Sequence, residues 1–310
     1  MPIPAALTRN LTLPVIGAPM FIVSTPELVI AQCKAGIIGA FPALNARPAE
    51  RLDEWLTTIE TALADGQSAP HAVNLIVHPS NERLEIDLAQ CVAHRVPLVI
   101  TSLGKPTAIV EAVHGYGGLV FHDVTTVRHA EKALEAGVDG LILVAAGAGG
   151  HGGTLSPFAL VSEVRRFYAG PLALAGAITK GRQILAAQAI GADFAYIGTR
   201  FIATQEANAS ADYKQAILSA HADDIVYTPY FTGVPGNYLK SSIVAAGLDP
   251  ERLPSGNGPK LEFTRAADGA KAWRDIWGAG QGVGSIDDIP TTAELIARLR
   301  NEYQAARAAL

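Results

Sequence analysis

The chain contains few cysteines and few aromatic residues, and each shortage excludes a class of protein. Only 2 of its 310 residues are cysteines, and only 6% are aromatic. Cys33 and Cys91 fall in segments with helical apolar spacing, and no metal-ligand spacing surrounds them. We therefore expect two small buried side chains, without a disulfide and without a metal site.

Basic residues are also scarce, because 24 Lys and Arg stand against 29 Asp and Glu, for a net charge of −5. Such a chain lacks the positive surface that nucleic acid or an anionic membrane requires. Long apolar runs such as Gly140–Ala148 are far shorter than the ~20 residues that span a bilayer. The first ten residues show no secretory signal. We expect a soluble cytoplasmic protein without nucleic-acid or membrane partners, and its oligomeric state stays unknown.

What the chain does contain is a regular alternation of short apolar runs with segments of helical spacing. Eight runs predict strands, at Pro14–Ala18, Ile37–Phe41, His71–Ile76, Pro97–Thr101, Gly118–His122, Asp139–Val144, Pro171–Gly176 and Asp193–Gly198. Three X-Pro pairs predict helix starts, at Thr25-Pro26, Arg47-Pro48 and Ser156-Pro157. Continuously apolar strands that alternate with helices indicate a parallel sheet covered by helices. Eight such units predict a TIM (β/α)8 barrel, with an open doubly wound sheet as the alternative.

The alternation ends after Gly198, which predicts a barrel over residues 1–205 and a C-terminal extension over residues 206–310. The extension reads as a helix at Ala207–Ala220, an irregular segment at Asp223–Pro259 and a last helix at Thr291–Ala309. We expect it to pack on the barrel and cover its mouth. Its aromatic cluster is a candidate lid, or equally a packing surface, and consists of Tyr227, Tyr230, Phe231 and Tyr238, with Lys240 beside them.

The most informative segment is the glycine-rich loop 145–153, Ala-Ala-Gly-Ala-Gly-Gly-His-Gly-Gly, which follows an apolar strand. Glycine allows close backbone approach and positive φ, so the loop predicts a flat or phosphorylated ligand against the main chain. His151 is the one group there that can move a proton near neutral pH, although it could instead cap the helix after Ser156. The loop also fits the dinucleotide fingerprint, but the next strand ends without the required acidic residue, so we reject that interpretation.

The last two predicted barrel strands end in small residues, Ala175-Gly-Ala177 and Ile197-Gly-Thr-Arg200. TIM barrels place their active sites at the C-terminal ends of the strands, and strands seven and eight commonly bind a phosphate there. Backbone N–H groups can hold such a dianion without a lysine. Small residues can also simply pack the barrel mouth, but glycine at both strand ends favours phosphate.

Five segments, in this order, resemble the nitronate monooxygenases, formerly called 2-nitropropane dioxygenases: Gly17-Ala-Pro-Met20, Val73-Asn-Leu75, Ala148-Gly-Gly-His-Gly152, Ala175-Gly-Ala177 and Ile197-Gly-Thr-Arg-Phe201. The tail segment Ile276-Trp-Gly-Ala-Gly-Gln-Gly-Val-Gly284 is also similar to this family. The resemblance implies a TIM barrel that contains FMN. It implies that Ala18, Pro19 and Met20 line the flavin ring, that Asn74 hydrogen-bonds it, and that Gly149 and Gly150 approach it through backbone. It further implies a phosphate site of Gly176, Ala177, Gly198 and Thr199. Ala175, Ile197 and Gln281, from the same similar segments, complete the implied FMN set.

The resemblance implies that His151 is the catalytic base or polar contact beside the flavin. The implied activity is oxidation of alkyl nitronates with O2 to carbonyl compounds and nitrite. Nitroalkanes must first lose an α-proton, for which His151 is the candidate base.

The alternative on the same scaffold is an FMN-dependent NAD(P)H:quinone reductase or enoyl-thioester reductase, and a non-enzymatic flavin-binding protein is a third class. The chain departs from a quinone-reductase branch where His122-Asp123 stands in place of a histidine–lysine pair. Adjacent strand residues point to opposite faces, so only one of these two can enter the barrel mouth. His78, in the loop after the third strand, is expected to be solvated.

Overall fold

The computed structural model describes residues 3–253 and 274–310. Eleven strands lie in these ranges: β1 (Val15–Gly17), β2 (Gly39–Pro42), β3 (His71–Val77), β4 (Leu98–Leu103), β5 (Leu119–Val124), β6 (Gly140–Val144), β7 (Gly150–His151), β8 (Leu172–Ala175), β9 (Phe194–Ile197), β10 (Ile225–Thr228) and β11 (Gly236–Leu239). Eight of them form one parallel sheet in the order β1-β9-β8-β6-β5-β4-β3-β2. A parallel bridge between Ile16 and Ile38 joins its two edges. The predicted TIM barrel is therefore confirmed.

The same ranges contain twelve α-helices: α1 (Ala5–Thr8), α2 (Pro26–Lys34), α3 (Arg51–Ala62), α4 (Leu84–Ala93), α5 (Thr107–His114), α6 (Val127–Glu135), α7 (Pro157–Arg165), α8 (Gly181–Ala189), α9 (Thr199–Ile202), α10 (Ala211–Ser219), α11 (Lys240–Ala245) and α12 (Thr292–Ala308). Three short 3-10 helices lie at Ala43–Asn45, Ala222–Asp224 and Gln281–Ser285. None of the helices in residues 3–253 and 274–310 has the length and apolar character needed to cross a membrane.

Two buried layers follow from the alternation of side chains along each barrel strand. On β5, Phe121 points into the barrel, where it joins a cluster with Ile100 and Ile142. Val120 and Val124 point outward into the larger layer between the sheet and the helices. Both layers consist of buried side chains, and each fully buried aliphatic or aromatic side chain contributes roughly 1.5–3 kcal/mol relative to exposure.

The predicted helix start at Arg47-Pro48 is wrong. The peptide bond between these two residues is cis, and α3 begins only at Arg51. The start at Pro26 is confirmed, with proline in the first turn of α2. The start at Pro157 is confirmed in the same way for α7.

The segment expected to be irregular, Asp223–Pro259, is more ordered than predicted, although its residues 254–259 lie outside the described ranges. It contains β10, β11 and α11. The strands β10 and β11 are antiparallel, and β11 also pairs with β7 from the glycine-rich loop. This small sheet ties the extension to the barrel mouth.

Candidate active site

A cavity of about 1060 Å³ opens at the C-terminal ends of the barrel strands. A volume at the upper end of the range for ligand sites leaves room for a cofactor and a substrate together. Twelve of the fourteen residues that the sequence nominated line this cavity: Ala18, Pro19, Met20, Asn74, Gly149, Gly150, His151, Ala175, Gly176, Ala177, Gly198 and Thr199. Residues from five barrel strands or the loops after them therefore meet at one place.

Two nominated residues do not line the cavity. The side chain of Ile197 is 1% exposed and belongs to the outer layer, because its strand neighbour Tyr196 takes the inward position. Gln281 is exposed. Its backbone N–H donates to the carbonyl of Gly147 at 2.9 Å, so it supports the glycine-rich loop from outside.

His151 is held by the small antiparallel sheet. It pairs with Gly236 of β11, and its Nε2 lies 2.9 Å from Oγ1 of Thr232. The Thr232 hydroxyl donates its single proton to the carbonyl of Val234 at 3.0 Å, so it must accept from the imidazole. The proton therefore sits on Nε2, and Nδ1 carries the lone pair. Burial lowers the pKa of His151 to about 4, which keeps the ring neutral at physiological pH.

The glycine-rich loop and the tail approach each other too closely for side chains. A Cβ on Gly149 would lie 2.8 Å from the backbone nitrogen of Gly280 and 3.0 Å from Oγ1 of Thr199. That hydroxyl already accepts from the Gly280 N–H at 2.9 Å. Gly176 has φ of +145°, and a Cβ there would lie 2.8 Å from the carbonyl of Ala146. The part of the cavity wall next to the C-terminal ends of β8 and β9 is therefore formed by backbone atoms.

The floor of the cavity is polar. The Asn74 amide donates to the carbonyl of Ile100 at 3.2 Å and to Oγ of Ser102 at 3.0 Å, and the Ser102 hydroxyl donates to Oδ2 of Asp123 at 2.6 Å. Asp123 is the inward member of the pair whose faces the sequence could not assign. Its neighbour His122 points outward, where it bonds Thr101 at 2.7 Å. Burial raises the pKa of Asp123 to about 7.

The aromatic residues of the extension were predicted to form either a lid over the cavity or a packing surface, and the structure contains examples of both. Tyr227 lines the cavity, and its hydroxyl donates to the carbonyl of Gly152 at 3.1 Å. Tyr238 is fully buried and packs edge-to-face against Phe231. Lys240 lies outside the site, in an ion pair with Glu251 at 2.6 Å.

The remaining histidine of interest lies elsewhere. Nδ1 of His78 is 2.8 Å from Oγ of Ser80, and the side chain lines a separate shallow groove beside Lys105. It does not line the cavity at the strand ends.

Sequence reasoning missed three polar residues of the site: Ser102, Tyr196 and Thr232. Ser102 and Tyr196 occupy inward positions on their strands, which the alternation could have revealed once the barrel was assigned. Thr232 gave no signal, because it lies 81 positions from His151 and meets it only through the pairing of β7 with β11.

The comparison with known families can now be set beside this geometry. The sequence model of the family described as nitronate monooxygenase matches residues 6–302. The chain belongs to the nitronate monooxygenase family. It is therefore a flavin-dependent oxidoreductase that acts on a small-molecule substrate.

Sequence identity to individual relatives and solved structures is low, although the similarity extends over nearly the whole chain. It is 27% identical to a nitronate monooxygenase of Paraburkholderia phytofirmans, over 94% of this chain and 92% of that protein. Its fold is similar to a nitroalkane oxidase of Streptomyces ansochromogenes, with a TM-score of 0.83, 24% identity, and 98% and 99% of the two chains covered. It is also similar to a mutant form of FabK from Thermotoga maritima, with a TM-score of 0.77, 25% identity, and 97% and 96% covered.

Proposed function

We propose that this member of the family is an FMN-dependent monooxygenase that oxidises alkyl nitronates with O2 to carbonyl compounds and nitrite. The observation that carries the proposal is His151, a neutral, half-buried imidazole on the wall of the strand-end cavity. Its orientation is set by Thr232 from the extension and by strand pairing from the glycine-rich loop. A proton-active group held this firmly beside a backbone-lined cavity is typical of a catalytic position.

The residues present fit FMN. Gly176 occupies a position where a Cβ would collide with Ala146, so backbone borders the cavity below β8 and β9, where barrels of this kind bind phosphate. Asn74 offers its amide oxygen, because both amide hydrogens are already used. We therefore propose that Gly176, Ala177, Gly198 and Thr199 hold the phosphate, that Asn74 binds the ring edge, and that Ala18, Pro19 and Met20 contact the ring face. Ala175, Gly149 and Gly150 would complete the contacts.

When bound, FMN would supply the redox chemistry between the nitronate and oxygen. The protein contributes position and a proton site. Nδ1 of His151 is the basic nitrogen, but burial that lowers its pKa to about 4 makes it a weak base. General bases work best when their pKa lies near the operating pH. We therefore propose nitronates, which need no deprotonation, as better substrates than neutral nitroalkanes.

The test is anaerobic flavin bleaching. Purified protein is reconstituted with FMN, and propionate 3-nitronate is added to one sample and NADH to another. We expect the nitronate to bleach the visible flavin absorbance within seconds, on the order of the turnover times usual for enzymes, and NADH to leave it unchanged.

Rapid bleaching by NADH alone would instead support the quinone or enoyl-thioester reductase alternative. Protein that binds no FMN under any condition would refute the cofactor assignment. 3-Nitropropionate at the same concentration provides the matched substrate control, since it differs from propionate 3-nitronate only by the α-proton.

A further inference from the structure

The carboxyl group of Asp123 is the one feature of the cavity floor that the proposed function leaves unused. It lies on the inner face of β5, opposite Ile142 of β6, and lines the cavity. Oδ2 accepts from Ser102 at 2.6 Å. Oδ1 is shielded from solvent and has no hydrogen-bond partner in residues 3–253 and 274–310. A buried polar atom without a partner is costly, and a ligand in the cavity that Asp123 lines would supply one.

The direction of the hydrogen bonds on the floor can be read from Asn74. Its amide nitrogen faces the carbonyl of Ile100, which can only accept, and this contact fixes which end of the amide is nitrogen. The second amide hydrogen then points to Oγ of Ser102. Ser102 donates its own proton to Oδ2 of Asp123. A proton bound to Asp123 resides on Oδ1, and Oδ1 becomes a donor.

The surroundings favour that proton. The Ser102 hydroxyl is the only described group that favours the charged carboxylate, and burial opposes it. Toward the floor, β3 presents the neutral Asn74, β6 presents apolar side chains, and β9 presents Tyr196, whose own pKa is raised by burial and by Asp123. The other titratable groups around the cavity are His151 in the glycine-rich loop, His122 on the outer face of β5, Tyr213 and Tyr227 of the extension, and the exposed residues Lys105, His129, Lys132 and Glu135 at its margin.

We propose that Asp123 binds the cofactor as a neutral carboxylic acid, donating a hydrogen bond from Oδ1 to a carbonyl of the flavin's imide edge. Asn74 accepts from the adjacent ring N–H with its amide oxygen. The two side chains, linked through Ser102, thus offer one acceptor and one donor to a ligand edge that alternates donor and acceptor. This inference rests on the proposed binding of FMN and adds a ligand-binding residue to it.

The proposal predicts a pH dependence of cofactor affinity. Asp123 keeps its proton in the folded protein at pH 6 and loses it as the pH rises through about 7. The ionised group then faces the ring carbonyl with a lone pair in place of a donor. We expect the Kd for FMN, measured by quenching of flavin fluorescence, to increase about tenfold between pH 6 and pH 8.5, the effect of one lost hydrogen bond.

The decisive comparison is with Asp123→Asn, whose amide keeps a donor at every pH. We expect this variant to bind FMN at pH 6 as the wild type does and to lose the increase in Kd at pH 8.5. Asp123→Leu should bind weakly at both pH values. Asp65→Asn, in an exposed turn at the opposite end of the barrel, should follow the wild-type profile. The same series is measured with riboflavin, which lacks the phosphate group that also titrates in this pH range.

The outcomes separate the two claims. If the wild-type Kd changes with pH as the Kd of Asp123→Asn does, for both flavins, the proposed role of Asp123 is wrong. The proposal that the protein binds FMN is not affected by that result. Failure of the wild type to bind either flavin at any pH would overturn the proposed function and this inference together. If the leucine variant does not fold, the comparison of wild type with Asp123→Asn still decides.

Discussion

At the scale of single residues, the orientation of His151 depends on one hydroxyl group. The Thr232 hydroxyl accepts a hydrogen bond from the Nε2–H of His151, which leaves the lone pair of the ring on Nδ1. Thr232→Val retains the shape of the side chain and removes the acceptor. We expect kcat/KM for 3-nitropropionate, whose α-proton a base must remove, to fall roughly tenfold to a hundredfold, since small misplacements of a catalytic group have effects of this size. The FMN Kd should stay within about a factor of three, because Thr232 lies outside the proposed flavin contacts.

Steady-state kinetics with three further variants checks this positioning role. Thr232→Ser restores the acceptor and should recover most of the lost activity, which a purely structural defect would not do. His151→Ala should lose at least as much activity as Thr232→Val, and His78→Ala should keep wild-type activity because its side chain lies outside the cavity. Full activity in His151→Ala with flavin retained would contradict a catalytic role for this histidine.

At the scale of secondary structure elements, α12 attaches the end of the chain to the barrel through α8. Gly181 begins α8, and its backbone N–H donates to Oε2 of Glu302 at 2.6 Å. A Cβ on Gly181 would collide with the carbonyl of Leu299 and the backbone nitrogen of Tyr303. In an isolated helix alanine is better than glycine by about 1 kcal/mol. Here we expect Gly181→Ala to lower the free energy of unfolding by roughly 2 kcal/mol, because overpacking outweighs propensity.

Thermal denaturation measures this effect, as a decrease of several degrees in Tm. Arg182→Ala changes the exposed neighbour of Gly181 and should leave Tm within about a degree, as surface substitutions do. An increase in Tm for Gly181→Ala would show that α12 does not pack closely against Gly181 of α8 in solution.

Most helices and strands could be predicted, because the sequence signals that define them lie within the elements or directly beside them. Each barrel strand is a continuous apolar run, and most helices begin or end at proline or glycine, so short windows of sequence contain the signal. The strands β10 and β11 escaped prediction because they lie among glycine, proline and tyrosine, outside the alternation with helices that marks the barrel strands. Their order comes from pairing with each other and with His151. Thr232 was missed for the same reason.

The side-chain placement on the cavity floor was predictable in part. Alternation showed that only one of His122 and Asp123 could enter the barrel. Which of them enters depends on the stagger of β5 against β4 and β6, which is a property of the closed sheet. Oδ1 of Asp123, which has no partner among the described residues, could not be foreseen from the sequence, since its surroundings depend on the positions of Asn74 and Ser102 on two other strands.

At the scale of the whole molecule, buried histidines determine how stability responds to acid. Burial lowers the pKa of His71, His122 and His151 to about 4, below the ordinary value near 6.5. The unfolded chain therefore binds protons between pH 6.5 and pH 4 that the folded chain does not bind, and stability is lost as the pH falls through this range. The raised pKa of Asp123 acts in the opposite direction, because there the folded chain binds the extra proton.

These signs can be separated with two substitutions in the flavin-free protein. His71 lies at the start of β3, away from the cavity, and its Nε2 has no partner in the described ranges. His71→Leu should reduce the loss of stability between pH 6.5 and pH 5 by about 1 kcal/mol per pH unit, since the unfolded histidine binds its proton progressively over this range. Asp123→Asn should increase that loss by a similar amount, because it removes the opposing group. Urea denaturation at a series of pH values measures both slopes, and equal slopes in all three proteins would mean that these burials do not control the titration.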